Sequence, residues 1–121
     1  MNNNQLESLA RKLKALAEPK RLEIIDLLKQ GVQCNCNLGG KLNMAPNLIS
    51  HHLRVLAQAG FITTERDQTD ARWIYYSLNT EILEEFSTEI GMLLDTTEIQ
   101  PRNSCCGPSG KAIGVVYPVG D

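Results

Sequence analysis

The sequence predicts a mainly α-helical domain that carries one β-hairpin, and three observations support this prediction. Apolar residues recur at helical spacing through most of residues 6–94. Residues 61–78 are instead rich in β-branched and aromatic residues around a polar turn. The chain has 121 residues, of which 42% are hydrophobic, so it can form one domain with a core.

The composition also bears on location and on the state of the cysteines. No apolar run approaches the length of a membrane span, and the N-terminus lacks the apolar core of a signal peptide. We therefore expect a cytoplasmic protein with no membrane partner. In such a chain the four cysteines are expected to act as thiols, for metal or redox chemistry, rather than as structural disulfides.

The first two helices are predicted from apolar stripes that a proline separates. Residues 6–17 carry leucines and alanines at helical spacing, with basic residues on the other side. Pro19 ends this helix and begins the next, and Gly31 ends the second one. The second helix is expected to be central because its apolar face is wide. That face consists of Leu22, Ile24, Ile25, Leu27 and Leu28.

Two short helices joined by a tight turn are predicted next. The first, Asn37–Leu42, contains two glycines, each of which costs about 1 kcal/mol relative to alanine in a helix interior. Residues 43–45 form the connection. The second helix begins near Pro46 and ends at Gly60. This arrangement is a helix-turn-helix.

The helix that begins at Pro46 has one buried and one polar face. Ile49, Leu53, Leu56 and Ala57 form the predicted buried stripe. The opposite face carries side chains that can hydrogen-bond base edges or phosphates in a major groove. The candidate DNA-binding residues of this face are Asn47, Ser50, His51 and Arg54, and Gln58 lies beside them. The alternative is an ordinary three-helix core with a solvated polar face.

The charge distribution agrees with nucleic-acid binding. No carboxylate occurs between Asp26 and Glu65, whereas residues 80–98 are acidic and contain no Lys or Arg. The net charge is −2, but a phosphate meets the local face of a protein rather than its total charge. The acidic segment can lie elsewhere in the fold.

Residues 61–66 and 72–78 are expected to form the two strands of the hairpin, with a turn at residues 67–70. Arg66 and Arg72 flank its tip. They can reach phosphate or a minor groove, or they can pair with the two aspartates of the turn. Asn79 suits the N-cap of a last helix. The apolar face of that helix consists of Ile82, Leu83, Phe86, Ile90, Leu93 and Leu94.

The helical pattern ends at Asp95. We therefore divide the chain into a DNA-binding and dimerisation domain, residues 1–95, and a flexible cysteine-containing tail, residues 96–121. The tail carries Cys105 and Cys106. Residues 112–119 are apolar enough to form a short extended segment.

Cys34 and Cys36 stand just before the helix-turn-helix. Residues two apart on a regular helix do not face each other. If the two cysteines bind one ion, at least one of them must therefore lie at or before the helix start. Thiolates there gain from the partial positive charge of the helix N-terminus. Two thiols cannot fill a tetrahedral site, and Cys105 and Cys106 are the only other cysteines. An extended chain spans up to ~3.3 Å per residue, so the tail can fold back onto the first pair.

Ligation by thiolates alone selects soft ions. Trivalent arsenic takes three thiolates, whereas cadmium, lead or zinc would prefer four. We rank arsenite first, with antimonite as a similar metalloid, and the divalent metals second. A third interpretation is redox chemistry, in which either cysteine pair oxidises or takes up sulfur. The remaining alternative is small buried cysteines with no ligand role.

The sequence shows no arrangement of a nucleophile and a base, so we do not expect an enzyme. His51 and His52 both fall inside the candidate DNA-binding helix, His51 outward and His52 near the edge of the core. A redox enzyme built on the cysteines is a weaker alternative, because Cys-x-Cys does not stand in a βαβ pattern.

The run CNCNLGGKLNMAPNLISHHLRVLAQAGFI, followed by RWIYYSL, resembles the ArsR/SmtB family of metal- and metalloid-responsive winged-helix repressors. The resemblance covers roughly residues 6–94, and the Cys-x-Cys narrows it to the arsenic-sensing type. It implies a winged helix-turn-helix in which the hairpin is the wing.

The resemblance further implies a homodimer formed by the first and last helices, with Leu9 and Leu93 at its interface, that binds operator DNA. We therefore expect a repressor that arsenite releases by binding Cys34, Cys36 and a tail cysteine. This would displace the start of the Asn37–Leu42 helix, which packs against the DNA-binding helix, and disturb the turn at residues 43–45. The alternative is sensing of soft divalent metals or of thiol redox state through the same cysteines.

Overall fold

The structure is a computed structural model that describes residues 1–31 and 33–101. It confirms the expected winged helix-turn-helix: helices make up most of it, with a small antiparallel sheet. In chain order the elements are α1 (Asn3–Leu16), α2 (Pro19–Leu28), β1 (Gln33–Cys34), α3 (Asn35–Leu42), α4 (Pro46–Gln58), β2 (Ile62–Arg66), β3 (Ile74–Leu78) and α5 (Thr80–Leu93), followed by a 3₁₀ turn (Thr96–Glu98).

The helix starts follow from local sequence. Asn2 and Gln5 form a capping box at α1, in which each side chain accepts a hydrogen bond from the other's backbone N–H, at 2.9 and 2.8 Å. Prolines open α2 and α4, as predicted, because their φ is already helical. Asn79 caps α5, and its Oδ1 accepts from the N–H of Ile82 at 3.4 Å.

The helix ends use left-handed backbone. Gly31 follows α2 with φ +124°, and Gly60 follows α4 with φ +88°. Asn43 adopts φ 47° as α3 ends, which starts the predicted tight connection to α4. These residues set the angle at which each following element leaves.

The core lies between α2, α3, α4 and β2. Phe61 is fully buried at its centre, and its ring meets that of Phe86 from α5 edge-on, with centroids 5.3 Å apart. The buried cluster comprises Ala15, Ile24, Leu28, Leu38, Leu42, Ile49, Leu53, Leu56, Phe61 and Ile62.

The apolar face of α2 is narrower than predicted. Ile24 and Leu28 are buried, which confirms the central position of this helix, but Leu22 is 52% exposed. Leu22 and Ile24 are two residues apart and therefore lie about 200° apart around the helix axis. A helix that packs with Ile24 inward must turn Leu22 toward solvent.

The sheet has three antiparallel strands in the order β1-β3-β2, one more than predicted. The hairpin register runs from Ile62 opposite Leu78 to Arg66 opposite Ile74. The additional strand, β1, places Gln33 opposite Tyr76 and Cys34 opposite Tyr75. Two residues are too few to show the alternation that identifies a strand in sequence.

The last helix packs on α1 and on the core, yet none of its residues is fully buried. The segment after it begins with the 3₁₀ turn, where the side chain of Asp95 accepts from the N–H of Thr97 at 2.9 Å. Residues 102–121, including Cys105, Cys106 and the apolar segment 112–119, lie outside the described residues. The division at residue 95 therefore stays a prediction. None of the described helices is long and apolar enough to cross a membrane.

Candidate functional site

The exposed face of α4 is the polar face predicted from sequence. Ile49, Leu53 and Leu56 are buried, while the opposite side is open to solvent. The N-cap is Ala45, whose side chain cannot accept a hydrogen bond. Pro46 has no N–H, and the N–H of Leu48 donates to the carbonyl of Ala45 at 3.0 Å. The N–H of Asn47 is therefore left for water or a phosphate oxygen. The exposed candidates on this helix are Asn47, Ser50, His51, Arg54 and Gln58.

A cleft of about 460 Å³ separates α4 from the hairpin. Ser50 and Arg54 line it from the helix side, and Arg66 lines it from β2. The guanidinium of Arg66 donates to the carbonyl of Ala71 at 2.8 Å, which holds it beside the hairpin. The structure thus brings together three of the predicted DNA-binding residues.

Thr64 and Tyr76 also line this cleft, although the sequence did not single them out. They are cross-strand neighbours, so the period-two alternation of the hairpin would have placed them on one face. Burial raises the pKa of Tyr76, and the nearby Arg66 opposes this effect. Tyr76 therefore keeps its hydroxyl proton and can donate a hydrogen bond.

Arg72 adopts the pairing that the sequence left as an alternative. Its Nε and terminal nitrogen donate to the two carboxylate oxygens of Asp70, at 3.0 and 2.8 Å. These hydrogen bonds lower the pKa of Asp70. The Arg72 side chain is 89% exposed, so this surface pair is weak and the guanidinium can exchange Asp70 for a phosphate.

Asp67 organises the turn of the hairpin and does not pair with an arginine there. Its carboxylate accepts hydrogen bonds from Thr69, from the N–H of Asp70 and from the hydroxyl of Tyr75. Led by the Thr69 hydroxyl, these bonds lower the pKa of Asp67 to about 2. The turn therefore keeps its shape at neutral pH.

Arg21 connects three helices, a role that no spacing in the sequence indicates. From α2, its Nε donates to the carbonyl of Ala15 at 2.6 Å, and another guanidinium nitrogen lies 3.2 Å from Nδ1 of His52 on α4. A guanidinium only donates, so Nδ1 must accept and the proton of the neutral ring lies on Nε2. Burial first, then Arg21, lowers the pKa of His52.

Cys34 and Cys36 converge at the start of α3. Cys34 is the N-cap residue, with extended backbone at φ −87° and ψ 162°, and Cys36 is the second residue of the helix. Their Cα atoms are 5.4 Å apart and their sulfurs are in bonding contact as a disulfide. The predicted placement of one cysteine before the helix start is confirmed. The joined sulfurs differ from the expected free thiols, because this irregular helix start lets the two side chains meet.

Asn35 and Asn37 surround the cysteine pair. The Oδ1 of Asn35 accepts from the N–H of Cys36 at 3.1 Å, and its Nδ2 donates to the carbonyl of Arg72 at 3.2 Å. Cys36 Sγ lies 3.9 Å from the Oδ1 of Asn37. Cys34 is 9% exposed, whereas Cys36 is open to solvent.

Reduction of this pair would supply two soft donors on one side of the helix N-terminus, which suits a thiophilic ion. Among residues 1–31 and 33–101, no group of three or more His, Cys, Asp or Glu side chains could hold a metal ion. A third donor must therefore come from elsewhere in the protein, from a second copy or from solvent. The predicted ligands Cys105 and Cys106 lie outside the described residues.

Comparison with known proteins agrees with this architecture. Residues 18–64, which run from the residue before α2 into β2, match the family model described as "Bacterial regulatory protein, arsR family". The matched segment contains the cysteine pair, the helix-turn-helix and α4.

Two curated proteins of Bacillus subtilis strain 168 are 40% identical to this chain. The transcriptional repressor SdpR aligns over 72 residues, which are 60% of this chain and 77% of that protein. The arsenical resistance operon repressor aligns over 77 residues, which are 63% of this chain and 70% of that protein.

The fold is also similar to that of NolR from Sinorhizobium fredii. The two structures superpose with a TM-score of 0.60 at 28% sequence identity, over 75% of this chain and 88% of that one. The alignment thus extends well beyond the segment that the family model matches.

Proposed function

Because the chain belongs to the ArsR family of bacterial regulatory proteins, we propose that it is a dimeric repressor that arsenite releases from its operator. Proteins of this family are DNA-binding transcriptional regulators, and this chain is a transcriptional repressor rather than an enzyme. The identity of the inducer, the dimeric state and the residues that contact DNA are our proposal. The observation that supports a thiophilic inducer is that Cys34 and Cys36 converge at the start of α3.

We assign DNA recognition to α4, which enters the major groove. Asn47, Ser50 and His51 supply hydrogen bonds to base edges or the backbone from its exposed face. Arg54 and Arg66 face one cleft and would bind a phosphate that passes between the helix and the wing. Here the wing means β2, β3 and the turn between them. Arg72 reaches a further phosphate when it leaves Asp70.

We assign the dimer interface to α1 and α5. Leu6, Met92 and Leu93 are exposed and line one cavity together with Met1, which leaves an apolar surface for a second copy of the chain to cover. Two copies related by a two-fold axis would present their α4 helices to half-sites one DNA turn apart. The repressor would act on operator DNA in the cytoplasm.

We assign ion sensing to Cys34 and Cys36 with a tail thiol, Cys105 or Cys106, as the third ligand. Trivalent arsenic, and antimony in the same way, would take three of these thiolates; cadmium, lead or zinc would take four. The likeness to the arsenical resistance operon repressor of Bacillus subtilis supports arsenite over the divalent metals.

Release follows from the position of α3, which packs on α4 and ends at the turn leading into it. Gathering Cys34, Cys36 and a tail thiol around one ion would shift this helix start and misalign the recognition helices. Ion binding and DNA binding then oppose each other by one coupling free energy, typically about 1–3 kcal/mol.

A second candidate function is sensing of thiol redox state. It is favoured by the bonding contact between the sulfurs of Cys34 and Cys36. Oxidation of the two thiols would change the same helix start without an ion. Under this alternative an oxidant, and not arsenite, would control DNA binding.

Titration of the reduced full-length protein on its own promoter DNA tests the proposal. Arsenite, antimonite, cadmium, lead, zinc and the thiol oxidant diamide are added separately while DNA release is followed by fluorescence anisotropy. We expect arsenite to release the wild type. Cys34→Ser and Cys36→Ser should still bind DNA but stay bound when arsenite is added.

Loss of one tail thiol, Cys105→Ser or Cys106→Ser, should have a milder effect because its neighbour can substitute. If the Cys34/Cys36 double mutant is released as readily as the wild type, the sensing site lies elsewhere. Release by diamide alone would establish the redox alternative.

A further inference from the structure

The cysteine pair is joined to the wing as well as to the helix-turn-helix. Cys34 belongs to β1, and β1 pairs with β3 so that Cys34 lies opposite Tyr75. Backbone hydrogen bonds of this edge strand therefore connect the sensing residue to the middle of the wing. Any movement of Cys34 changes the position of β1 against β3.

Asn35 makes a second connection from the same place. Its side-chain oxygen accepts from the N–H of Cys36 at 3.1 Å, and its side-chain nitrogen donates to the carbonyl of Arg72 at 3.2 Å. One amide group thus bridges the backbone of the cysteine pair and the residue where the turn returns to β3. Only a side chain with both a donor and an acceptor can hold both bonds.

The far side of this bridge is the tip of the wing. Arg72, which Asn35 contacts, donates to Asp70 of the turn. Tyr75, which lies opposite Cys34 of β1, donates to Asp67 of the turn. Both contacts of the cysteine site therefore reach residues that bind the turn. Arg66, which lines the DNA-facing cleft, is held by the carbonyl of Ala71 in the same turn. A shift at Arg72 would therefore move both arginines of the wing.

From these contacts we infer that the wing is an output of the cysteine site, and that Asn35 is the positioning residue that couples them. This inference rests on the proposed function for its biological meaning, since DNA release is what the coupling would serve. A change in the covalent or ligand state of Cys34 and Cys36 alters the start of α3. Asn35 and β1 transmit this change to the wing, in parallel with the route through the turn at residues 43–45.

The chain contains its own reporter for this movement. Trp73 is the only tryptophan of the sequence, it follows Arg72 directly, and it is 44% exposed. Its carbonyl accepts from the N–H of Asp67 in the turn at 2.9 Å, so its emission reports on the tip of the wing without DNA. Binding of arsenite to thiolates is followed independently by the ultraviolet absorbance of the sulfur–arsenic bonds.

Asn35→Asp is the decisive variant, because a carboxylate still accepts from the Cys36 N–H but cannot donate to the Arg72 carbonyl. Asn37→Asp is the matched control. It adds the same charge to α3. Among the described residues the only polar contact of the Asn37 side chain is that of its Oδ1 with Cys36 Sγ at 3.9 Å, and a disulfide sulfur has no proton to donate to it. Both variants keep all four cysteines.

We expect arsenite to shift the Trp73 emission of the reduced, DNA-free wild type and of Asn37→Asp. Asn35→Asp should bind arsenite with the same absorbance change but lose at least about half of the emission shift. Arsenite should also weaken the DNA binding of Asn35→Asp less than that of the wild type. The ratio of the affinities without and with arsenite should be roughly 2- to 30-fold smaller in this variant, the range for residues that contribute to coupling. Unchanged wild-type emission at saturating arsenite, or a wild-type response of Asn35→Asp, would overturn the inference.

Failure of the proposed function gives a different pattern. If the wild type binds no arsenite, the arsenite proposal is rejected, and the wing inference is then decided with diamide. Diamide takes up the two electrons and two protons that Cys34 and Cys36 lose when they form a disulfide. Trp73 emission should differ between the dithiol and disulfide forms of the wild type but much less in Asn35→Asp. Equal differences in both proteins would reject the inference.

Discussion

A guanidinium nitrogen of Arg21 lies 3.2 Å from Nδ1 of His52 and joins α2 to α4. The same guanidinium donates to the carbonyl of Ala15 near the end of α1. The neutral imidazole accepts from Arg21, but a protonated one cannot. Protonation of His52 therefore removes this acceptor and with it one of the contacts between α2 and α4.

Lowering the pH should destabilise the protein through His52. Its folded-state pKa lies below the ordinary value of 6.5, because burial and Arg21 disfavour the cation more than Glu18 favours it, and His51 adds to the lowering. The unfolded chain therefore takes up the proton first, and stability is lost as pH falls below about 6.5. Chemical denaturation between pH 7.5 and 5.5 measures this loss.

His52→Gln provides the control for that measurement, since glutamine can accept from Arg21 but does not titrate. The pH dependence of this variant should be shallower than that of the wild type over the same interval. Equal slopes in the two proteins would show that other groups cause the dependence.

Removal of the exposed polar side chains of α4 should weaken operator binding without unfolding the protein. His51→Ala and Arg54→Ala both change exposed positions of the recognition helix. For Arg54 as a phosphate contact, the slope of log affinity against log salt should become shallower by about one unit. Lys20→Ala, which removes an exposed charge paired with Glu23 on α2, serves as the control. Wild-type affinity in both α4 variants would reject the proposed DNA-binding face.

A charge on the exposed part of α5 should separate the proposed dimer. Leu93 is 47% exposed and lines the same cavity as Leu6, so Leu93→Glu should give folded monomers by analytical ultracentrifugation. Leu22→Glu, at a 52% exposed position of α2, should remain dimeric. If Leu93→Glu also remains dimeric, the interface lies elsewhere.

Leu9 does not serve this test, although the sequence favoured it as an interface residue. It is only 2% exposed within one chain, so it already packs inside the protomer. A charge at Leu9 should lower the thermal stability of the protomer itself, because a carboxylate at this position would lose its contact with water.

Two glycines should respond in opposite ways to alanine. Gly60 has φ +88°, where a side chain costs about 1–2 kcal/mol, while the added Cβ would meet Ile82 only at an ordinary 3.7 Å. Gly91 lies in α5 with nothing within 4 Å of the added Cβ, so alanine there should stabilise by up to about 1 kcal/mol. Denaturant unfolding of Gly60→Ala and Gly91→Ala compares the two. Equal stabilities would show that the backbone at Gly60 is not strained by alanine.

Most helices and several of their limits were predictable because their signals are local, although α3 begins at Asn35 and not at the predicted Asn37. Pro19, Pro46 and Asn79 begin helices, and Gly31 and Gly60 follow helix ends, for reasons contained within one or two turns of chain. The buried and exposed faces of α4 likewise follow from the spacing of apolar and polar residues along one helix. The exposed DNA-binding candidates could therefore be named before the fold was known.

The sequence alone thus determined the order of the helices and the hairpin, the turn of the helix-turn-helix, the polar face of α4 and the placement of Cys34 before a helix. Only the tertiary structure decided that β1 joins the wing, that Asn35 reaches Arg72, that Arg21 contacts His52 and that Leu9 is buried. These contacts join residues far apart in the chain. Side-chain spacing is repeated within an element, whereas the partner of an isolated amide or guanidinium depends on how whole elements pack against each other.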